Sequence, residues 1–149
     1  MSLPKLSLSR LRAGEDYGLL ADACASWGFF QLMDHGLSEE MLGATLEAME
    51  HFFSLPIAAK RAIERSHQNP WGFYDRELTK NVKDHKQIFD VGPEHGTQIP
   101  QWPENESRFK ARISSFYGAA EQIALELVGH IARSLDTPPE ELLLAFRSS

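Results

Sequence analysis

The stretch Trp27-Gly28-Phe29-Phe30-Gln31-Leu32-Met33-Asp34-His35-Gly36 constrains this chain more than any other. Phe29 to Met33 is short, aromatic and apolar, which predicts a buried strand. Asp34-His35-Gly36 closes it as a polar turn. Before the strand, Leu19, Leu20, Ala23 and Cys24 recur at helical spacing and Gly28 lies just beyond them, so a helix is expected over about 15–26. Cys24 then falls on the apolar face, where a buried, inert thiol is the default. After the strand comes a strongly amphipathic segment, about 38–54. Met41, Leu42, Thr45, Leu46, Met49, Phe52 and Phe53 share one face, Ser38 is placed to cap the start, and Glu39 and Glu40 suit the positive end of the helix dipole.

The rest of the chain continues in the same mixed manner, and the fold class read from it is α+β. Residues 3–8 alternate Leu6 and Leu8 with polar neighbours, which suggests a short edge strand that tolerates Pro4 near its start. Pro56 stops the 38–54 helix and can open a short helix over about 56–64. Pro70 to Tyr74 looks like a strand start, residues 75–86 read as a solvated loop, and Lys86 to Val91 is again strand-like. Residues 93–104, rich in proline and including Gly96, are an irregular connection. A long helix over about 105–135 carries an apolar stripe from Phe109 and Ile113 through Leu127 and Ile131 to Leu135. Thr137 and Glu140 have the spacing of a capping box for a last helix, about 138–146. That helix bears Leu142, Leu143, Leu144 and Phe146, and the chain stops almost at once, where a natural domain end usually frays into polar residues.

Charge and cysteine usage narrow the function classes. The net charge is −6, and the densest basic group, Lys80, Lys83 and Lys86, is interrupted by Asp84. That pattern argues against a nucleic-acid partner, because phosphate binding draws on clustered Lys and Arg. The single cysteine excludes an internal disulfide and fits a reducing compartment. No apolar run approaches the ~20 residues needed to span a membrane, and the N-terminus lacks the apolar core of a secretory signal. A cytoplasmic protein with no membrane partner is the expectation.

Four ordered pieces give the chain a family likeness. They are Trp27-Gly28-Phe29-Phe30-Gln31-Leu32 leading into Asp34-His35-Gly36; Phe52-Phe53-Ser54-Leu55-Pro56 followed by Lys60; Gly72-Phe73-Tyr74; and Asp84-His85-Lys86-Gln87-Ile88-Phe89-Asp90-Val91-Gly92. Together they resemble the N-terminal region of the 2-oxoglutarate/Fe(II)-dependent dioxygenases, the isopenicillin N synthase-like group. Asp34 stands where the family usually has Asn, and His85 where it usually has Trp. The likeness implies one domain over 1–149, the N-terminal part of a jelly-roll (double-stranded β-helix) oxygenase, with the catalytic jelly-roll domain outside this chain. It also implies Fe(II) and 2-oxoglutarate as cofactors of the intact enzyme, and a strand with Gly72-Phe73-Tyr74 lying along the mouth of the active site. Tyr74, Asp75 and Arg76 are the group held for a small-molecule substrate, with Tyr74 and Arg76 as the site residues and Arg76 suited to an anionic one; an ordinary charged surface is the competing and favoured account.

The iron site itself is not legible in these residues. Such enzymes hold iron with two histidines and one carboxylate, in this family an His-x-Asp pair and a distal histidine. The six histidines, His35, His51, His67, His85, His95 and His130, are followed two residues on by Leu37, Phe53, Asn69, Gln87, Thr97 and Ala132. No His-x-Asp or His-x-Glu exists, so no catalytic, cofactor-binding or metal residue is assigned. Arg147-Ser148-Ser149 matches the family's Arg-x-Ser grip on 2-oxoglutarate, but its nearest upstream histidine is His130, inside the long helix, and coincidence is the better account. Asp34-His35 reads as a turn. Asp84, His85, Asp90, Glu94 and His95 read as a solvated rim rather than a cation site, and His51 and His130 as helix residues either partly exposed or satisfied by hydrogen bonds. The leading expectation is the N-terminal scaffold and part of the substrate mouth of a dioxygenase, inactive alone. The alternative is a stand-alone, non-catalytic interaction module derived from that family.

Overall fold

A computed structural model describes residues 2–79 and 82–147. Its helices are α1 (Leu8–Arg12), α2 (Tyr17–Ser26), α3 (Glu39–Ser54), α4 (Ile57–Arg61), α5 (Ser107–Ser134) and α6 (Pro139–Arg147). Its strands are β1 (Lys5–Ser7), β2 (Gln31–Met33), β3 (Gly72–Tyr74), β4 (Leu78–Thr79), β5 (Val82–Lys83) and β6 (Ile88–Asp90). Among the described residues the strands pair only two by two, and no barrel closes. The mixed class and each expected helix are present, with displaced ends. The chain divides into two compact units, residues 1–38 with 118–149, and residues 39–117.

In the first unit β1 and β2 run parallel, with Leu6 opposite Leu32. A parallel pair needs a crossover, and α1 and α2 supply it. α1 departs from the expectation. Ser7 ends the strand and its hydroxyl accepts from the Arg10 amide at 3.4 Å, capping a helix where the alternation of Leu6 and Leu8 suggests more strand. Leu6, Leu11, Leu20 and Ala23 form the buried centre, with Phe30, Leu32, Leu127 and Ile131 packed against it. Two expectations fail here. Cys24 is exposed, because α2 turns Leu20 and Ala23 inward and the next position rotates out to water. The strand begins at Gln31, and Phe29 before it is 58% exposed. A strand with one neighbour and a single covered face has no need of a continuous apolar run.

The second unit is built around Phe52. Its ring stacks on Phe109 at 4.6 Å between centroids and meets Phe53, Phe73 and Phe89 at 5.0–6.2 Å. Ala48, Ile63 and Ile113 complete the buried cluster. α3 therefore buries Thr45, Ala48 and Phe52, while Leu46 is 60% and Met49 40% exposed, although periodicity puts both on the buried face. β3 and β6 pair antiparallel with Phe73 opposite Phe89, the two strands expected around a polar connection. That connection is not an open loop, since β4 and β5 pair within it. α4 ends at Arg61, short of the expected residue 64, because the following residues are drawn alongside β3 (Glu64 bridges Phe73 in parallel). Lys60 is buried, its Nζ donating to the Phe53 carbonyl at 2.6 Å and to Gln87 Oε1 at 2.9 Å.

Leu135, expected at the end of the stripe on the long helix, lies just past α5 and is exposed. The Thr137 hydroxyl donates back to the Leu135 carbonyl at 3.3 Å. Of the Arg147-Ser148-Ser149 match, Ser148 and Ser149 lie outside the described residues, as does Lys80 of the basic group.

Candidate functional site

The pairing of residues 63–65 with β3 sets the site in the second unit. The Phe73 amide donates to the Ile63 carbonyl at 2.9 Å, and the Arg65 amide donates to the Phe73 carbonyl at 3.0 Å. This approach is close enough to dictate Gly72. Its φ is +128°, and a Cβ there would sit 2.2 Å from the Ile63 carbonyl oxygen. Gln101 braces the same corner, donating from Nε2 to the Trp71 carbonyl at 2.7 Å.

The register brings Arg65 against Tyr74, with the guanidinium carbon 3.9 Å from the ring centroid. One nitrogen of Arg65 donates to Asp90 Oδ2 on β6 at 2.8 Å. Arg76, two residues past Tyr74, is paired with Glu64. Between α4 and β3 the chain makes a tight turn in which the Ser66 amide donates to the Asn69 carbonyl at 2.8 Å and the Ser66 hydroxyl accepts from the Asn69 amide at 3.1 Å. Arg65, Ser66, His67, Tyr74 and Arg76 together line an open cavity of about 410 Å³. Beyond it, buried Asp75 accepts from Arg61 at 2.7 Å and ties β3 to α4.

The structure thus places Tyr74 and Arg76, the two expected site residues, on one cavity, and adds Arg65, Ser66 and His67. Those three carry no sequence signal of their own. Their position follows from the parallel pairing with β3, which spans the turn and has no local pattern.

The other candidates are placed elsewhere. Asp34 takes a left-handed backbone, φ 55°, and its Oδ2 accepts from the Ser7 hydroxyl at 2.6 Å. His35 accepts the Leu37 amide on Nδ1 at 3.1 Å. The pair is a turn tied to β1. His51 is 3.0 Å from Glu106. Asp84 and His85 border a small cavity of about 120 Å³ with Asp75, whereas Asp90 is held by Arg65. Among the described residues no group of three or more His, Cys, Asp or Glu could hold a metal ion, so this donor set does not fit an iron centre.

The first unit gathers a polar cluster from residues more than a hundred positions apart, which no local sequence pattern announces. Glu126 accepts both forks of Arg12 at 2.7 and 2.8 Å, and that hydrogen bonding holds its carboxyl below the usual range. One turn on, His130 is buried. Nδ1 lies 3.2 Å from the Tyr17 hydroxyl, and Nε2 has no hydrogen bond, its nearest acid oxygen being Glu126 Oε1 at 3.6 Å. Burial pushes its pKa below the ordinary histidine value, against the pull of Glu126.

Comparison with known proteins follows the same lines. The family model described as non-haem dioxygenase in morphine synthesis N-terminal matches residues 3–106. The chain is 26% identical to the 2-oxoglutarate-dependent dioxygenase ecdK of Aspergillus rugulosus, over 94% of this chain and 51% of that protein. It is 25% identical to S-norcoclaurine synthase 1 of Coptis japonica, over 99% of this chain and 44% of that one. Among solved structures, a 2OG-Fe(II) oxygenase family protein from Caulobacter crescentus superposes with a TM-score of 0.72 at 21% identity, covering 93% of this chain and 50% of that one. A full-length Neurospora crassa protein, solved in complex with alpha-KG and 5-formyluracil, gives 0.74 at 19% identity, over 92% and 46%. At these identities the structural likeness is one of fold. The chain spans about half the length of the curated relatives it matches.

Proposed function

The chain belongs to the N-terminal domain family of the 2-oxoglutarate/Fe(II)-dependent non-haem dioxygenases, and from that premise we propose that it forms the scaffold and part of the substrate mouth of an enzyme oxidising a small organic molecule. The observation that carries this reading is the family match over residues 3–106, which takes in the whole β3–β6 ribbon and its cavity. Iron and 2-oxoglutarate would be held by a jelly-roll domain, the partner of this region. No step of oxygen activation is assigned to the present residues, because among the described residues no group of three or more His, Cys, Asp or Glu could hold a metal ion. What the chain contributes is position. The aromatic centre at Phe52 packs α3 against the β3–β6 ribbon, which presents Tyr74 to the cavity, with Arg76 just past the end of β3. A cytoplasmic setting belongs to the same proposal, supported by the single free, exposed Cys24 and by the absence, among the described residues, of a helix long and apolar enough to cross a membrane.

Calorimetric titration with Mn(II) and 2-oxoglutarate, against a 2-oxoglutarate blank, tests the assignment. The expected result is no metal-dependent heat at micromolar concentrations. A saturable metal site of defined stoichiometry overturns it.

A further inference from the structure

We infer that the cavity bounded by Arg65, Ser66, His67, Tyr74 and Arg76 is an oxyanion subsite that takes the carboxylate of a small organic molecule. The inference rests on the proposed substrate mouth for what the ligand belongs to, and on the cavity alone for its chemistry.

Every described lining side chain can donate a hydrogen bond, and among the described lining residues there is no carboxylate. The acids nearby, Glu64 and Asp90, each hold an arginine from outside the lining. Each ion pair uses only part of a guanidinium, and the remaining N–H groups keep the planar fork that matches a carboxylate. Arg65 is also held in place before any ligand arrives, and Arg76 has one partner. Arg65 lies on the Tyr74 ring at 3.9 Å and is bonded to Asp90, and Arg76 is bonded to Glu64. A donor already ordered gives up little conformational entropy on binding. Arg65 is 31% exposed, so its charge is less screened than that of a free surface arginine, while Arg76, at 59%, stays open to an incoming ligand. In a chain of net charge −6, this cavity is lined by two guanidiniums, with their counter-charges Glu64 and Asp90 set outside the lining. A volume of about 410 Å³ admits a small acid together with part of its carbon skeleton.

The test is an NMR titration of the arginine Nε–Hε signals of the ¹⁵N-labelled chain with sodium benzoate and, separately, inorganic phosphate, at constant ionic strength. Benzoate is expected to give saturable shifts at Arg65 and Arg76 and none at Arg10 or Arg12, which sit in exposed ion pairs of the other unit. Arg65→Gln should weaken the Arg76 response at least about tenfold. Arg76→Gln, at the more exposed position, gives the same reading at Arg65 if the first variant loses its fold. Uniform, unsaturated shifts at all four arginines overturn the site. Saturation by phosphate with no response to benzoate overturns the carboxylate assignment. The metal titration stands apart. A chain that binds benzoate and also Mn(II) keeps the subsite and loses the scaffold reading, and one that binds neither loses only the subsite.

Discussion

At Gly72 a single absent side chain allows the whole corner to form, since a Cβ would press on the Ile63 carbonyl at 2.2 Å with φ at +128°. Gly72→Ala should cost about 2–4 kcal/mol, from backbone strain plus overpacking, read as a lower urea midpoint. A midpoint within error of the parent would mean that residues 63–65 do not run beside β3. The sequence marked Gly72 as the start of a strand, but not why glycine is required, because the clashing carbonyl arrives from another element. His130 makes the same point with charge. Its folded pKa lies below the ordinary 6.5, so as pH falls the unfolded chain takes the proton first. Its contribution is intact above that value and declines as pH drops through it toward the lower folded pKa. Urea midpoints should therefore fall between about pH 7 and pH 5, and His130→Leu should flatten that decline. Equal slopes in both proteins would show that the ring is not held neutral. Glu126, with its carboxyl held low by Arg12, adds its own loss in a more acidic window, as pH falls below its ordinary 4.5.

Among the elements, α3 shows how far periodicity reaches. Its amphipathic pattern was plain, and its extent, Glu39–Ser54, follows the expected 38–54 closely. Yet the broad apolar arc held more positions than one neighbour could cover. The Phe109 ring and the β3–β6 ribbon lie against Phe52, so Thr45 and Ala48 turn inward and Leu46 and Met49 are left in water. Phe52→Ala should cost about 3–5 kcal/mol, because it empties the centre of an aromatic cluster. Leu46→Ala should change stability by no more than about 0.5 kcal/mol. Comparable losses in denaturant unfolding would put the buried face where periodicity alone has it. The parallel β1–β2 pair was legible only as two strands. Its pairing depends on α1, whose cap at Ser7 is a cue that an alternating Leu pattern hides.

For the molecule as a whole, apolar side chains remain uncovered in both units. Leu19, Phe29 and Leu144 are exposed in one, Leu46 and Ile57 in the other. Scattered apolar side chains are ordinary on a protein surface, and only a contiguous patch marks a place where another surface belongs. The scaffold reading expects the isolated chain to self-associate in sedimentation velocity as its concentration rises, and more so as salt strengthens apolar association. A monodisperse chain across that range would favour the stand-alone module. What the sequence determined by itself was the order of the longer helices and of the strands β1, β2, β3 and β6, the family and the lack of an His-x-Asp pair, because each is written in local spacing and residue type. Which apolar residues are buried, where Cys24 points, and that Arg65, Ser66 and His67 meet Tyr74 and Arg76 were decided only by tertiary structure. Those outcomes depend on which neighbour a face meets, and the pairing that joins the cavity runs between segments with no shared pattern to announce it.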